Sequence, residues 1–207
     1  VHEGALGHYA ESLARFERAK TCFAGNPGTV WGGLTANHLA HVLTHLGQFA
    51  RALQALQWDG GDTPATEARR TLLRHRIDRA LGRADPGAID AALDQLAGRD
   101  TLMRLLLTIE SSLTLDAGEG ADRCATVCAE AERLELLGIG MRARLVGLQH
   151  RIGASKLASA HAADFVARLD VCHPADTYLA EGWWVAFRAF DALGDESAAD
   201  AALRRGH

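Results

Sequence analysis

The chain has few of the residues that build β-sheets. Its 207 residues include only 13 Val plus Ile and two Tyr, whereas strands draw on β-branched and aromatic side chains. Proline, which breaks helices, occurs four times, as Pro27, Pro64, Pro86 and Pro174. Cysteine is as scarce. Cys22, Cys124, Cys128 and Cys172 are too few and too unevenly spaced for a disulfide framework, a usage that fits a reducing cytoplasm. No apolar run approaches the roughly 20 residues of a membrane span, and no basic-then-apolar leader opens the chain. The expectation is therefore a cytoplasmic protein with no membrane partner. A formal charge of −4 and a pI near 6.2 lack the positive excess of a polyanion binder, so direct nucleic-acid contact is not expected. No serine or cysteine has a sequence context that would activate it, and Glu110 and Asp116 are isolated carboxylates. No catalytic residue, cofactor or resident metal is expected.

What is abundant is helical. The chain holds 39 Ala and 29 Leu, about a third of its length, both strong helix formers. Apolar residues recur at i, i+3, i+4 and i+7, which predicts helices over 5–24, 30–46, 48–57, 64–82, 86–97, 99–116, 119–136, 139–152, 154–171, 177–193 and 195–205. Prolines fall in the gaps, and Asp62 or Thr63 is placed to cap the helix that Pro64 opens.

One phrase also repeats: a glycine, a few polar or aromatic residues, then an alanine-rich amphipathic run. It occurs at Leu6-Gly7-His8-Tyr9, Leu46-Gly47-Gln48-Phe49, Leu81-Gly82, Gly118-Glu119-Gly120, Ile152-Gly153-Ala154-Ser155 and Leu193-Gly194-Asp195. The spacing is roughly 33 to 41 residues, one helix pair per step. Each glycine is expected to end a helix in the left-handed conformation that costs it nothing. No true linker interrupts the period, so one continuous array over 1–207 is expected.

The pattern Ala36, Leu39, Ala40, Leu43, Gly47, Phe49, Ala52 and Leu56 resembles the tetratricopeptide repeat. So do Gly7, Tyr9, Ser12, Phe16 and Ala19, and Trp183, Ala186, Phe190, Gly194 and Ala199. The best repeats are 1–24, 30–57 and 177–207; between about 64 and 150 the helix-pair rhythm continues without the motif residues. The resemblance implies an all-α fold, a right-handed α-solenoid of antiparallel helix pairs whose concave groove binds a protein or peptide. The stretch Asp176–Asp195 is similar to late repeats of large bacterial regulators that join a DNA-binding or catalytic module, an ATPase and a repeat array. That likeness implies a sensory or regulatory module whose partner is a protein, a peptide or a neighbouring domain of the same polypeptide; the alternatives are a small-molecule effector-binding helical domain and a purely structural or oligomerising array. The chain opens on Val and enters directly at a second-helix motif, which fits a fragment of a longer protein.

Three clusters are candidate sites. His38, His41 and His45 fall within about 60° of arc on one helix face, with Asn37 and Thr44 beside them. In a tetratricopeptide register this face lines the groove. The alternatives are a solvated polar face and a metal site built on His41 and His45. Trp184 and Arg188 extend the expected groove at the far end, while Trp183, Phe187 and Phe190 read as core. Arg69, Arg76, Arg79 and Arg83 form a basic stripe on the helix over 64–82 and its end, either a contact for an acidic partner or a solvated face balanced by nearby acids. Cys124 and Cys128, at i and i+4, read as small apolar packing residues.

Overall fold

The computed structural model describes residues 9–26, 28–58, 63–96, 98, 100–171 and 179–206. Within these there are eleven helices and no strand. We number them α1 (Tyr9–Phe23), α2 (Val30–His45), α3 (Phe49–Ala55), α4 (Pro64–Ala80), α5 (Pro86–Leu96), α6 (Thr101–Ser112), α7 (Ala117–Arg133), α8 (Leu137–Gly153), α9 (Ser159–Leu169), α10 (Leu179–Ala192) and α11 (Glu196–Gly206). The fold is all-α, with one helix at each predicted span, α7, α8 and α11 running one or two residues past it. Gly7, Pro27, Gly60, Gly61, Asp62, Cys172, Pro174 and the start of the Asp176–Asp195 stretch lie outside the described residues.

Short polar side chains start several of these helices. Thr29 Oγ1 accepts the Gly32 N–H at 3.1 Å, and Thr63 Oγ1 accepts the Thr66 N–H at 3.1 Å just before Pro64. Asp116 accepts from Gly118 and Glu119 at 2.8 and 2.9 Å to open α7.

Helix ends use a left-handed residue, and three of these are the anticipated glycines: Gly47, Gly82 and Gly194, with φ of 69°, 71° and 73°. After each, a backbone N–H reaches back five residues, as Gln48 does to the Leu43 carbonyl at 2.8 Å. Two other expectations are corrected. Gly118 and Gly120 lie in the first turn of α7 rather than finishing a helix, and Gly153 is the last residue of α8. The left-handed residues that end α7 and α8 are Glu135 (φ 57°) and Ser155 (φ 53°), each followed by the same back-reaching bond.

The chain divides into two compact units, 1–107 and 108–207, the division falling within α6. In the first unit α2 packs on α1, α3 and α4, while α4 also packs on α3 and α5. Leu39, Leu43, Leu56 and Ile77 are the large residues of one core, onto which Leu13 and Phe16 of α1 close. Leu72, Ile89, Leu96 and Leu107 form a second core on the other flank of α4. In the second unit α8 packs on α7, α9 and α10, and α10 on α9 and α11. The two units thus repeat one pattern: a helix touches both the next helix and the next but one.

The α7–α8 interface is made by small residues. A Cβ on Gly147 would lie 3.2 Å from the Cys124 Cβ, and one on Gly140 would lie 3.8 Å from the Ala131 Cβ. The Cys128 thiol reaches the Gly140 carbonyl at 3.5 Å. At the far end of the pair the His150 ring lies directly on Gly120. These contacts climb one helix while descending the other. No helix among the described residues is long and apolar enough to cross a membrane.

Candidate functional site

The histidine face of α2 is partly roofed. Phe16 of α1 stacks on the His38 ring, with centroids 5.4 Å apart and planes 12° apart, and Tyr9 stacks on His45 at 5.0 Å and 11°. His41 meets the edge of His45 at 4.5 Å. Of the three histidines only His45 is exposed. Burial holds the His41 imidazole down to a pKa of about 3, reinforced by His45 and by the Arg69 and Arg76 guanidiniums. His38 falls to about 4 for the same first reason, with Arg69 adding to it. Both rings are therefore neutral near pH 7, packed as flat and weakly polar plates.

Asn37 does not belong to a ligand-facing surface, as the sequence had led us to expect. Its side chain is fully buried, and Nδ2 donates to the Thr66 carbonyl at 2.9 Å, joining α2 to the first turn of α4. The Oδ1 atom is buried with no hydrogen-bond partner. Thr44 is half-buried, its hydroxyl donating to the Ala40 carbonyl of the preceding turn at 2.7 Å. Tertiary packing accounts for Asn37, because α4 covers a flank of α2 that a helical wheel assigns to solvent. Among the described residues no group of three or more His, Cys, Asp or Glu is placed to hold a metal ion.

The expected basic stripe is dispersed. Arg69 and Arg76 are half-buried and act electrostatically on His41, and Arg79 is exposed. Arg83 leaves the helix altogether, because α4 ends at Ala80 and Gly82 reverses the chain. It pairs with Asp78 at 2.8 Å, while Arg70 pairs with Glu67 at 2.6 Å. These residues surround a basin of about 750 Å³ that Trp58, Arg74 and Asp85 also line, where three acids face three arginines. Balanced charge of that kind is the ordinary solvated reading of an arginine-rich helix.

The far end keeps its open aromatic. Trp183 is buried at 7% exposure beneath the Arg205 guanidinium, 4.3 Å from the ring centroid, and Trp184 is 53% exposed. Trp184 stacks on Phe187 at 5.2 Å, and Arg188 is exposed one turn further on. Arg142 of α8 reaches Glu181 of α10 at 2.8 Å, tying the two helices together.

Sequence reasoning passed over Trp31, the most exposed tryptophan at 66%, next to Val30 at 43%. An aromatic in the first turn of a helix carries no periodicity signal to mark it as outward-facing. The cysteines match their reading. Cys124 and Cys128 are buried and their thiols pushed up, Cys128 to about 11, chiefly by desolvation.

No protein family model matches the chain, nor does any curated protein sequence or solved structure.

Proposed function

We propose that the chain is a tetratricopeptide-like helical repeat module that binds a protein or peptide, or a neighbouring domain of a longer polypeptide, and performs no catalysis. The observation that carries this reading is the repeated packing of a helix on both its neighbour and its next-but-one neighbour, α2 on α3 and α4, α8 on α9 and α10. Stacked antiparallel pairs in a right-handed solenoid would produce that pattern, since each pair can bury its apolar face only against the next. The opposed order of contacts along α7 and α8 also favours antiparallel pairing. In such a register α2 and α4 of the first unit, and α8 and α10 of the second, are the first helices of their pairs.

The recognition element in this reading is Trp184 with Arg188, because an exposed tryptophan beside a cation is the type of anchor that dominates interface energy. The histidine face contributes less, since α1 stacks on two of its three rings. A sensory or regulatory role in a bacterial regulator follows from the likeness of the Asp176–Asp195 stretch to the repeats of such proteins.

The test is a quantitative pull-down from the native cytosol with wild type, Trp184→Ala and Arg188→Ala, compared with Asp200→Ala on the exposed face of α11. Selective loss of one partner from the first two variants supports the groove. Equal recovery from all four chains sinks it.

A further inference from the structure

α7 and α9 flank α8 without forming a packing interface with each other. The trough between them has a volume of about 420 Å³, with α8 as its floor. Its apolar surface comes from Ala121, Ala125 and Ala129 on α7, Gly147 and Leu148 on α8, and Phe165 on α9. Alanines at successive turns keep the α7 wall low, which is why space remains where larger side chains would have met Phe165.

The two ends of the trough differ. At one end Arg144 pairs with Glu132 and lies 3.6 Å from Asp164, and Arg168 reaches Glu132 at 3.3 Å and Asp164 at 3.2 Å. These four charges compensate one another and close that end. At the other end stands Arg151, seven residues along α8 from Arg144 and so about 10 Å away on the same face. Arg151 is half-buried, lines the trough and takes part in none of those ion pairs. His161 is beside it, its ring fixed by accepting the Ala158 N–H at Nδ1. The first turns of α7 and α9 also begin at this end, where α8 finishes, so the positive ends of two helix dipoles meet the negative end of one. Two acids stand at this end: Asp116, which accepts the opening N–H groups of α7, and Glu119 in the first turn of that helix.

We propose that this trough is a binding site for a small monoanionic amphiphile, a medium-chain carboxylate or an aryl acid of similar length. The apolar tail lies along the alanine wall and over Leu148 towards Phe165, and the carboxylate meets the Arg151 guanidinium. An open, mainly apolar trough of this size with one convergent cation has the chemistry of a small-molecule site. A through-running partner helix fits less well, because it would have to break the four-charge closure. The sign of the ligand follows from Arg151, the one charge lining the trough that lies apart from the compensated group.

The test is calorimetric titration with octanoate, octanol and octylamine, each below its aggregation limit. Wild type is expected to bind octanoate saturably at one per chain, roughly tenfold more tightly than octanol, as one charge-assisted contact implies. Arg151→Gln should bring octanoate down to the octanol level. Ala125→Trp, at an exposed position, should fill the trough and abolish both, with the helical circular dichroism unchanged; Ala129→Trp serves the same end if the first variant folds poorly. Absence of saturable octanoate binding overturns the proposal. So does equal binding of octanoate and octanol to wild type, or octanoate binding that survives both tryptophan variants. A concentration-dependent dimer that Ala125→Trp dissociates would mean that a second copy of the chain fills the trough, and would overturn it as well.

Discussion

The His150 imidazole occupies the space that any side chain at position 120 would need: a Cβ built on Gly120 would come within 2.4 Å of the ring. The contact fixes how closely α7 and α8 approach. It also explains why the first turn of α7 carries a glycine at position 120. Gly120→Ala should destabilise the second unit by about 1–3 kcal/mol through overpacking. Combined with His150→Ala the loss should be less than the sum of the two single losses, because removing the ring makes room for the methyl group. Denaturant unfolding of the four chains measures the coupling, and additive losses would disprove the steric account.

Acid should weaken the first unit. His38 and His41 titrate near pH 4 and near pH 3 when folded, below their ordinary value of 6.5. The unfolded chain therefore binds more protons, and the stability these rings contribute is complete above pH 6.5 and is lost as the pH falls towards 3. Between pH 7 and pH 4 the His41 contribution should fall by about 3 kcal/mol, and that of His38 by less because of its partial exposure. His41→Gln should flatten the profile in thermal melts across that range. An unchanged slope in the variant would exclude His41 as the source.

Glu135 and Ser155 hold left-handed backbone with a Cβ in place, at φ of 57° and 53°. The same turn geometry carries glycine at positions 47, 82 and 194. Glu135→Gly and Ser155→Gly should each raise stability by about 0.5–1 kcal/mol, while Gly47→Ala should lower it by about 1 kcal/mol. Opposite signs in midpoint shifts are the expected result. A destabilised Glu135→Gly would show that its side chain does something the turn needs.

The features legible beforehand were those carried by local chemistry. Helix existence followed from apolar spacing, the start of α4 from Thr63 and Pro64, and the different fates of Trp183 and Trp184 from their 100° separation on one helix. What could not be read depended on neighbours distant in sequence. Asn37 is polar and falls beside the histidine face on a wheel, yet the Thr66 carbonyl 29 residues away takes it inside. Arg83 left the basic stripe because a glycine two residues after the last helical position turned the chain. Glu135 and Ser155 have no signature, since a non-glycine residue adopts left-handed backbone only where the flanking helices demand it. The trough beside α8 was equally invisible, because alanine marks a gap and a packed seam alike.

At the Glu132 end, the helices on either side of α8 are held by opposite charges rather than by interlocking side chains. Such a link responds to the medium. Dissolved ions weaken the exposed part of it within a Debye length of about 8 Å at physiological ionic strength, while kosmotropic salts such as sulfate also strengthen apolar contacts elsewhere. The second unit thus combines a joint that loosens in brine with a seam that tightens, and the width of the space between α7 and α9 is a property of the surroundings as much as of the fold.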